Sequence, residues 1–473
     1  MRNKGISALV CAGLTAGAAV LATTAPAAAQ TGPRPSDAAE THSSAVTGNQ
    51  PYTSAVTGNR PSTSADIREQ LENIPGMTVV SVTDKEGHPL YSLTYRQPVD
   101  HRRPHGGTFT QRLSLWHKAT DKPTVLYTGG YTLAQNTTAL TKLIDANQVS
   151  LEHRYFEQSR PSGADGRDWT KLTVQQEAAD EHRITRALRT IEKGKWLGTG
   201  GSKGGMTATY HERFYPDDLD AVVAFVAPND ANNRDDSGYE RFFRTVGTKE
   251  CRTALNAVQR EMLVRRDALL PKFEADAKAN GQTFHETLGT TDRAYEFAVL
   301  DQVWNFWQSG TVADCPTVPD AKTVGDDELY DWSKKHGLSV YHDAELGEHT
   351  TGPYYRQAAT QLGWADLKFK HLKGVRHYPD IYQPNSVLPP AMRGSYNNSI
   401  IADVDRWVKT RGQRMMFIYG ENDPWSAERF RPSHRDSYLY EVPGANHGAT
   451  IAKLPEPQQS RAIATIKRWA GVK

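Results

Sequence analysis

Short runs of β-branched residues alternate with helical patterns between residues 124 and 226, and this alternation constrains the fold more than any other feature of the sequence. The alternation predicts a mostly parallel sheet covered by helices on both faces. Ligands of such sheets bind at the carboxyl ends of the strands. The predicted strands lie at 124–127, 148–152, 196–198 and 221–226, and the predicted helices at 138–144, 174–193 and 203–213.

Further strand patterns lie on both sides of this region. Those at 78–83, 90–95 and 109–117 indicate an antiparallel opening, and those at 415–419 and 438–442 are followed by a helical pattern at 458–469. The residues between 228 and 415 have helix and loop character, which predicts a cap over the strand ends. We therefore expect an α/β fold whose core comprises residues 66–228 and 399–473, with a large, mainly helical cap at 229–398.

The amino terminus has the pattern of an export signal. Arg2 and Lys4 precede an apolar stretch at 6–21, and Ala27-Ala28-Ala29 provides an A-x-A cleavage site, so residues 1–29 are predicted to be a signal peptide of a secreted protein. A membrane anchor is the alternative, which the shortness of the apolar stretch disfavours. Residues 30–65 contain almost no large apolar side chain, which predicts a disordered leader or pro-segment.

The charge balance limits the possible partners. The chain has 56 basic and 54 acidic residues, so bulk electrostatic attraction to nucleic acid or to an anionic membrane is not expected as the main function. No H-E-x-x-H spacing occurs, and His377, His434 and His447 are too scattered to indicate a zinc site. We expect no cofactor, no metal, no nucleic acid and no membrane partner, and the sequence predicts no particular oligomeric state.

The export prediction also determines what we expect of the cysteine residues. Cys11 would be removed with the signal peptide, which leaves Cys251 and Cys315 as the pair in an oxidising compartment. We predict a disulfide between them, within the cap.

The main chemical motif is a G-x-S-x-G pattern, G-G-S-K-G at 200–204, between a predicted strand and a predicted helix. In a nucleophile elbow the chain turns so sharply that side chains would collide, and Gly200, Gly204 and Gly205 would relieve that clash while Ser202 presents its hydroxyl. A phosphate-binding turn is the alternative for a glycine-rich strand-to-helix connection.

Two late loops supply the partners that a nucleophilic serine needs. Asp423 follows the strand pattern at 415–419, and His447 follows the next one at 438–442. The order serine, acid, histidine is that of hydrolases with a nucleophile elbow, so we predict a Ser202, Asp423, His447 triad. Glu421 is the competing acid, but we expect its side chain to point to the opposite side of the turn.

Two backbone amides are candidates for an oxyanion hole. One is the amide of Lys203, directly after the nucleophile, and the other is that of Tyr131, in the glycine-containing loop after the strand at 124–127. The alternative for Gly129-Gly130 is an ordinary turn at the end of a strand.

Several segments together resemble the secreted streptomycete prolyl tri/tetrapeptidyl aminopeptidases, which are serine peptidases. They are T-G-G-Y-T at 128–132, E-H-R-Y-F at 152–156, G-G-S-K-G-G at 200–205, G-E-N-D-P-W at 420–425 and N-H-G at 446–448. A more distant similarity is to the lysosomal prolyl carboxypeptidase group. The resemblance implies a capped α/β-hydrolase fold and proline-containing oligopeptide substrates, from which tri- or tetrapeptides are released after proline at a free amino terminus.

A free amino terminus held near Ser202 would need buried carboxylates as partners. Glu152 is the first candidate, with a structural role beside Arg154 or the elbow as the alternative. An acidic group in the cap, Asp343, Glu345 and Glu348, is a second candidate or else a solvated loop. Trp425 would offer an apolar wall for the proline ring.

Two other functions remain open at this point. A secreted esterase or lipase would use the same triad on an acyl ester. A non-catalytic binding protein would keep the architecture without the chemistry, although the presence of Ser202, Asp423 and His447 argues against it.

Overall fold

The computed structural model describes residues 64–161, 168–347 and 350–473, and its centre is a nine-stranded sheet. The predicted signal peptide and nearly all of the predicted leader lie outside these residues. The strand order is β1-β2-β3-β5-β4-β6-β7-β8-β9. The strands are β1 (Met77–Lys85), β2 (His88–Pro98), β3 (Thr108–Trp116), β4 (Thr124–Thr128), β5 (Asn147–Leu151), β6 (Trp196–Gly201), β7 (Ala221–Phe225), β8 (Met415–Gly420) and β9 (Tyr438–Val442).

Six of these strands form the parallel part of the sheet. β5, β4, β6, β7, β8 and β9 pair in parallel, while β1, β2 and β3 add an antiparallel edge that joins β5. Every residue of β5 and of β8 is buried, as expected where helices cover both faces of a parallel sheet. The predicted α/β class with a mostly parallel central sheet is confirmed.

The helices alternate with the parallel strands and then fill the long connection between β7 and β8. The helices are α1 (Ser64–Glu72), α2 (Ala139–Leu143), α3 (Val174–Leu188), α4 (Lys203–Phe214), α5 (Ser237–Thr245), α6 (Lys249–Val264), α7 (Arg266–Ala279), α8 (Thr291–Ser309), α9 (Asp326–Lys335), α10 (Asp343–Leu346), α11 (Gly352–Gln357), α12 (Ser399–Thr410) and α13 (Gln458–Ala470). No helix in the described ranges is long and apolar enough to cross a membrane.

One predicted helix ends earlier than expected. The pattern at 174–193 predicts a single helix, but α3 ends at Leu188. The chain turns there so that the buried Glu192 accepts from Nδ1 of His117 at 2.7 Å and from Nδ2 of Asn147 at 2.8 Å. Tertiary pairing of a charged side chain thus overrides the local helical preference.

The connection between β7 and β8 has a hydrophobic core of its own. Large side chains from α6, α7, α8 and α9 pack together, among them Phe273, Tyr295, Phe297 and Trp307. The predicted disulfide is present, joining Cys251 on α6 to Cys315, which follows α8. Two cores, one on the sheet and one in the inserted helices, therefore stabilise the molecule.

The disulfide closes a loop with a sequence separation of 64 residues. In the chain-entropy account, a cross-link of this span stabilises by about 4 kcal/mol. Chemical denaturation of the wild type should show a loss of unfolding free energy of that size when reductant is added. The Cys251→Ala/Cys315→Ala variant should have the stability of the reduced wild type in both conditions. Equal stability of the variant and the oxidised wild type would contradict this prediction.

Candidate active site

Three loops at the carboxyl edge of the parallel strands carry the candidate catalytic residues. Ser202 follows β6, Asp423 lies just beyond β8, and His447 lies beyond β9. β6, β7, β8 and β9 are consecutive neighbours in the sheet and all run in the same direction. The topology therefore brings the three residues to a single edge.

Ser202 occupies a strained turn between β6 and α4. Its φ is 55° and its ψ is −128°, a conformation that residues with a side chain rarely adopt. The turn is possible only because of its glycines: a Cβ on Gly200 would lie 2.4 Å from the carbonyl oxygen of Thr128, and one on Gly204 would lie 2.0 Å from the same oxygen. This is the geometry of a nucleophile elbow.

Asp423 and His447 form a buried hydrogen-bonded pair. Nδ1 of His447 lies 3.0 Å from each carboxylate oxygen of Asp423. The carboxylate also accepts from Oγ of Ser426 at 2.6 Å and from the amide of Trp425 at 3.1 Å. These contacts hold the carboxylate in one orientation.

The contact between Asp423 and Nδ1 of His447 leaves the second ring nitrogen of His447, Nε2, available. A carboxylate only accepts hydrogen bonds, so Nδ1 of the neutral imidazole carries the proton and Nε2 is the acceptor. Nε2 of His447 is buried and has no hydrogen-bond partner among the described residues. An imidazole in this tautomer can receive a proton from a serine hydroxyl.

Glu421 lies in the same loop as Asp423 and points elsewhere. Its Oε2 accepts from the amide of Gly444 at 2.7 Å, and the side chain is exposed. The expectation that its side chain faces away from Asp423 agrees with this contact.

The loop after β4 packs directly on the elbow. Gly130 has a φ of +84°, and a Cβ there would lie 2.8 Å from the amide nitrogen of Gly204. The hydroxyl of Thr128 donates to the carbonyl of Gly204 at 2.7 Å. Lys203 is the first residue of α4, so its amide has no intrahelical acceptor. The loop at Gly130 thus adjoins the first turn of α4, and the use of the Tyr131 and Lys203 amides as oxyanion donors stays a prediction.

The side chain of Lys203 forms an ion pair beneath the elbow. Its Nζ lies 3.3 Å from Oε1 of Glu177 on α3, and both side chains are only 2% exposed. Glu177 also accepts from Nε2 of Gln357 at 2.8 Å and lies 3.5 Å from Nδ1 of His153. Burial alone would raise the pKa of Glu177, but Lys203 and His153 outweigh it and lower the pKa to about 2.

Both carboxylate oxygens of Glu152 have partners inside the protein. Its Oε1 accepts from the amide and the hydroxyl of Ser159 at 2.9 and 2.8 Å, and Oε2 lies 3.4 Å from Arg112. Arg154 is not its partner, because that guanidinium binds both oxygens of Asp180 at 2.6 and 2.8 Å. Substrate binding by Glu152 stays a prediction, and the contacts present are those of a residue that holds the turn at Ser159.

Trp425 lies next to the catalytic imidazole. Its ring centroid is 6.3 Å from that of His447, and it packs against Trp304 at 4.7 Å and Trp364 at 6.3 Å. Its indole nitrogen donates to Gln308 on α8. An apolar wall therefore adjoins the site, although its use by a substrate stays a prediction.

Three residues at the site were missed from the sequence. Ser426 could have been found, because a hydroxyl three residues after an acidic residue is a frequent turn motif. Glu177 gave a weaker signal, a charge on the helix face that packs on the sheet. Gln308, whose carbonyl accepts from the amide of His447 at 3.2 Å, gave none.

The described carboxylates of the predicted cap take no part in the hydrogen bonds and ion pairs given above for the candidate site. Asp343 accepts from the amide and hydroxyl of Thr287 at 3.1 and 2.8 Å, and Glu348 lies outside the described residues. No group of three or more His, Cys, Asp or Glu side chains suited to a metal ion occurs in the described part of the chain.

A mostly parallel sheet with a serine elbow after one strand, and an acid and a histidine after two later ones, defines an α/β-hydrolase. Residues 60–473 match the PS-10 peptidase S37 family. The chain is also 48% identical over 415 residues to the prolyl tri/tetrapeptidyl aminopeptidase of Streptomyces mobaraensis, covering 86% of each protein. The chain belongs to this peptidase family and is a serine peptidase.

Solved structures give more distant matches. The proline iminopeptidase of Mycobacterium smegmatis matches with a TM-score of 0.38 and 14% identity, covering 80% of this chain and 98% of that protein. Feruloyl esterase B of Aspergillus oryzae matches with a TM-score of 0.35 and 11% identity, covering 85% of this chain and 90% of the esterase. Similarity at this level does not bear on the activity of the chain.

The Glu177→Gln variant should lose stability, because Lys203 would keep a buried charge without its counter-charge. The expected loss at pH 7 is about 3 kcal/mol. The folded-state pKa of about 2 lies below the unfolded value, so the contribution of the carboxylate is present above about pH 5 and is lost as the pH falls toward 2. The difference in the free energy of unfolding between wild type and Glu177→Gln, measured by chemical denaturation, should become smaller as the pH falls over that range.

The double variant Lys203→Met/Glu177→Gln is the control for this prediction. It removes both charges, so it should recover part of the lost stability and show less of the pH dependence. Equal stability of wild type and Glu177→Gln at pH 7 would contradict the role of the ion pair.

Proposed function

We propose that this protein is an exported exopeptidase that releases tri- or tetrapeptides from free amino termini by cleavage after proline. The arrangement of Asp423 and His447 carries the proposal: the imidazole is fixed by a buried carboxylate, and its second nitrogen is left without a partner at the edge where Ser202 is presented. The name of the relative with 48% identity supports the choice of substrate.

The reaction is an acyl transfer. The hydroxyl of Ser202 attacks the carbonyl carbon of the proline residue, and Nε2 of His447 takes the hydroxyl proton. The imidazolium, stabilised by Asp423, then gives that proton to the leaving amine as the peptide bond breaks. Water attacks the resulting ester, His447 takes a proton from it, and Ser202 regains its hydrogen as the peptide leaves.

The amides of Lys203 and Tyr131 are proposed to stabilise the oxyanion. The proposal is supported by the close approach of the loop at Gly130 to the first turn of α4. Each such donor is typically worth about 3 kcal/mol of transition-state stabilisation.

Export and domain division are part of the proposal. Residues 1–29 would be the signal peptide, 30–65 the leader or pro-segment, and 229–398 the cap over a core of 66–228 and 399–473. The Cys251–Cys315 disulfide supports an oxidising environment.

An esterase or lipase is the competing reaction for the same triad. The two differ in their need for an amino group, since an exopeptidase must bind the amino terminus of its substrate and an esterase need not. A non-catalytic binding protein is a weaker alternative, because the chain belongs to a peptidase family and retains Ser202, Asp423 and His447.

Ser202→Ala should abolish covalent labelling by a fluorophosphonate and lower kcat for a proline-containing tripeptide amide by about 10⁶-fold. Asp423→Asn should keep the geometry but favour the wrong tautomer of His447, with a loss of about 10⁴-fold in kcat. Ser399→Ala, at an exposed serine on α12, is the matched control and should label normally. Labelling that persists in Ser202→Ala would contradict the assignment of the nucleophile.

Wild-type protein should hydrolyse tripeptide amides ending in proline when the amino terminus is free, and about 100-fold more slowly when it is acetylated. A panel of free and acetylated di-, tri- and tetrapeptide amides measures this difference together with the preferred length. Equal rates on free and acetylated peptides would exclude an exopeptidase, and cleavage of esters alone would favour an esterase.

A further inference from the structure

Three carboxylates meet beside the candidate active site. Asp230 and Asp236 follow β7, and Glu428 lies in the loop that follows β8 and contains Asp423. The two loops are joined, because the amide of Asn229 donates to the carbonyl of Glu428 at 3.0 Å. We refer to Asp230, Asp236 and Glu428 as the acidic trio.

The acidic trio is desolvated and self-repelling. Burial, and then repulsion from Glu428 and Asp236, raises the pKa of Asp230 to about 8. Burial, and then repulsion from Asp236, raises the pKa of Glu428 to about 7. Burial is the larger cause of both pKa shifts, and repulsion between the carboxylates adds to it.

No cationic side chain in the described part of the chain relieves this repulsion at close range. Among the described residues, no Lys, Arg or His nitrogen lies within 4.0 Å of a carboxylate oxygen of the acidic trio, and Lys368 pairs with Asp366 instead. Asp230 is 4% exposed, and its Oδ2 has no hydrogen-bond partner in the described part of the chain. Elsewhere, the buried Asp180 and Glu177 each contact a cationic side chain.

Backbone amides satisfy only part of the hydrogen-bonding capacity of the acidic trio. Oδ1 of Asp236 accepts from the amide of Asp366 at 2.9 Å. The carboxylate of Glu428 lies over the first turn of α5, where a Cβ on Gly238 would be 2.8 Å from Oε1. These neighbours hold the two side chains in place without neutralising the group.

A continuous aromatic wall connects the acidic trio to the catalytic imidazole. Tyr239 is buried and lies in the first turn of α5, the turn against which the carboxylate of Glu428 lies at Gly238. The Tyr239 ring lies 5.5 Å from Trp304, and the wall continues through Trp425 to His447. The indole nitrogen of Trp304 is a buried donor without a partner among the described residues.

We propose that the acidic trio binds the amino-terminal ammonium of the peptide substrate. The inference rests on the proposed exopeptidase function and assigns the residues that would measure the length of the released peptide. The aromatic wall runs from Tyr239 through Trp304 and Trp425 to His447, so a peptide lying along it would have its cationic end at the acidic trio and its scissile carbonyl beside His447. An ammonium offers three N–H donors, and its charge offsets the repulsion among the carboxylates.

The test compares a tripeptide amide ending in proline with its des-amino analogue, in which hydrogen replaces the terminal amino group. Wild-type protein should prefer the amino peptide by about 30-fold or more in kcat/KM. In Asp230→Asn and Glu428→Gln that preference should fall to within about threefold, mainly through KM, while the des-amino peptide is hydrolysed at nearly the wild-type rate.

Two controls separate this inference from the proposed function. Glu345→Gln removes a half-buried carboxylate from the cap and should keep the wild-type preference. Fluorophosphonate labelling and hydrolysis of p-nitrophenyl acetate report the triad without an ammonium, and both should be unchanged in the variants of the acidic trio. Glu428 is less buried than Asp230, so Glu428→Gln keeps the test valid if Asp230→Asn does not fold.

An undiminished preference for the amino peptide in a folded, labelled Glu428→Gln protein would overturn the inference and leave the peptidase intact. Failure of the wild type itself to cleave either peptide, despite normal labelling, would instead refute the proposed function. The inference would also be overturned if Glu345→Gln, and not the variants of the acidic trio, lost the preference for the amino peptide. Such a result would place the ammonium in the cap.

Discussion

The close approach of β4 to the elbow after β6 is the contact on which the site depends. The carbonyl oxygen of Thr128 lies where a Cβ on Gly200 or Gly204 would be, so the two strand ends can pack only while both positions lack a side chain. The same contact sets the height of the Ser202 hydroxyl and brings the amide of Lys203 next to the loop at Gly130. The candidate nucleophile and the amide of Lys203 are thus positioned by one piece of backbone packing, with no adjustable side chain between them.

The helices between β7 and β8 contribute contacts to the candidate site. Gln308 on α8 accepts from the amide of His447 and from the indole of Trp425, and Gln357, the last residue of α11, donates to the glutamate that pairs with Lys203. Displacing these helices would therefore disturb both the loop that carries His447 and the ion pair between Lys203 and Glu177. This coupling explains why a chain of this kind carries a second hydrophobic core between β7 and β8.

The strands and the triad loops were predictable because their signals are local. β9 has the predicted bounds, Tyr438–Val442, and Asp423 and His447 lie in turns that immediately follow strands. The early end of α3 was not predictable, because it depends on His117 reaching Glu192 across the sheet. Likewise, Asp230 and Glu428 are remote in sequence, and only the adjacency of β7 and β8 brings their loops together.

Buried carboxylates near the site differ in what balances their charge. Asp423 is held by hydrogen bonds from His447 and Ser426, and Glu177 is neutralised by Lys203, so each is stable without a ligand. The acidic trio has no cationic partner within 4.0 Å among the described residues and only partial hydrogen bonding from backbone amides, so its desolvation and repulsion oppose folding in the free protein. A fold that retains such a group beside its active edge gains affinity for a cation placed there, since binding removes a penalty that already exists. The selectivity for a charged end then comes from relief of the repulsion among the carboxylates as much as from the contacts made to the ligand.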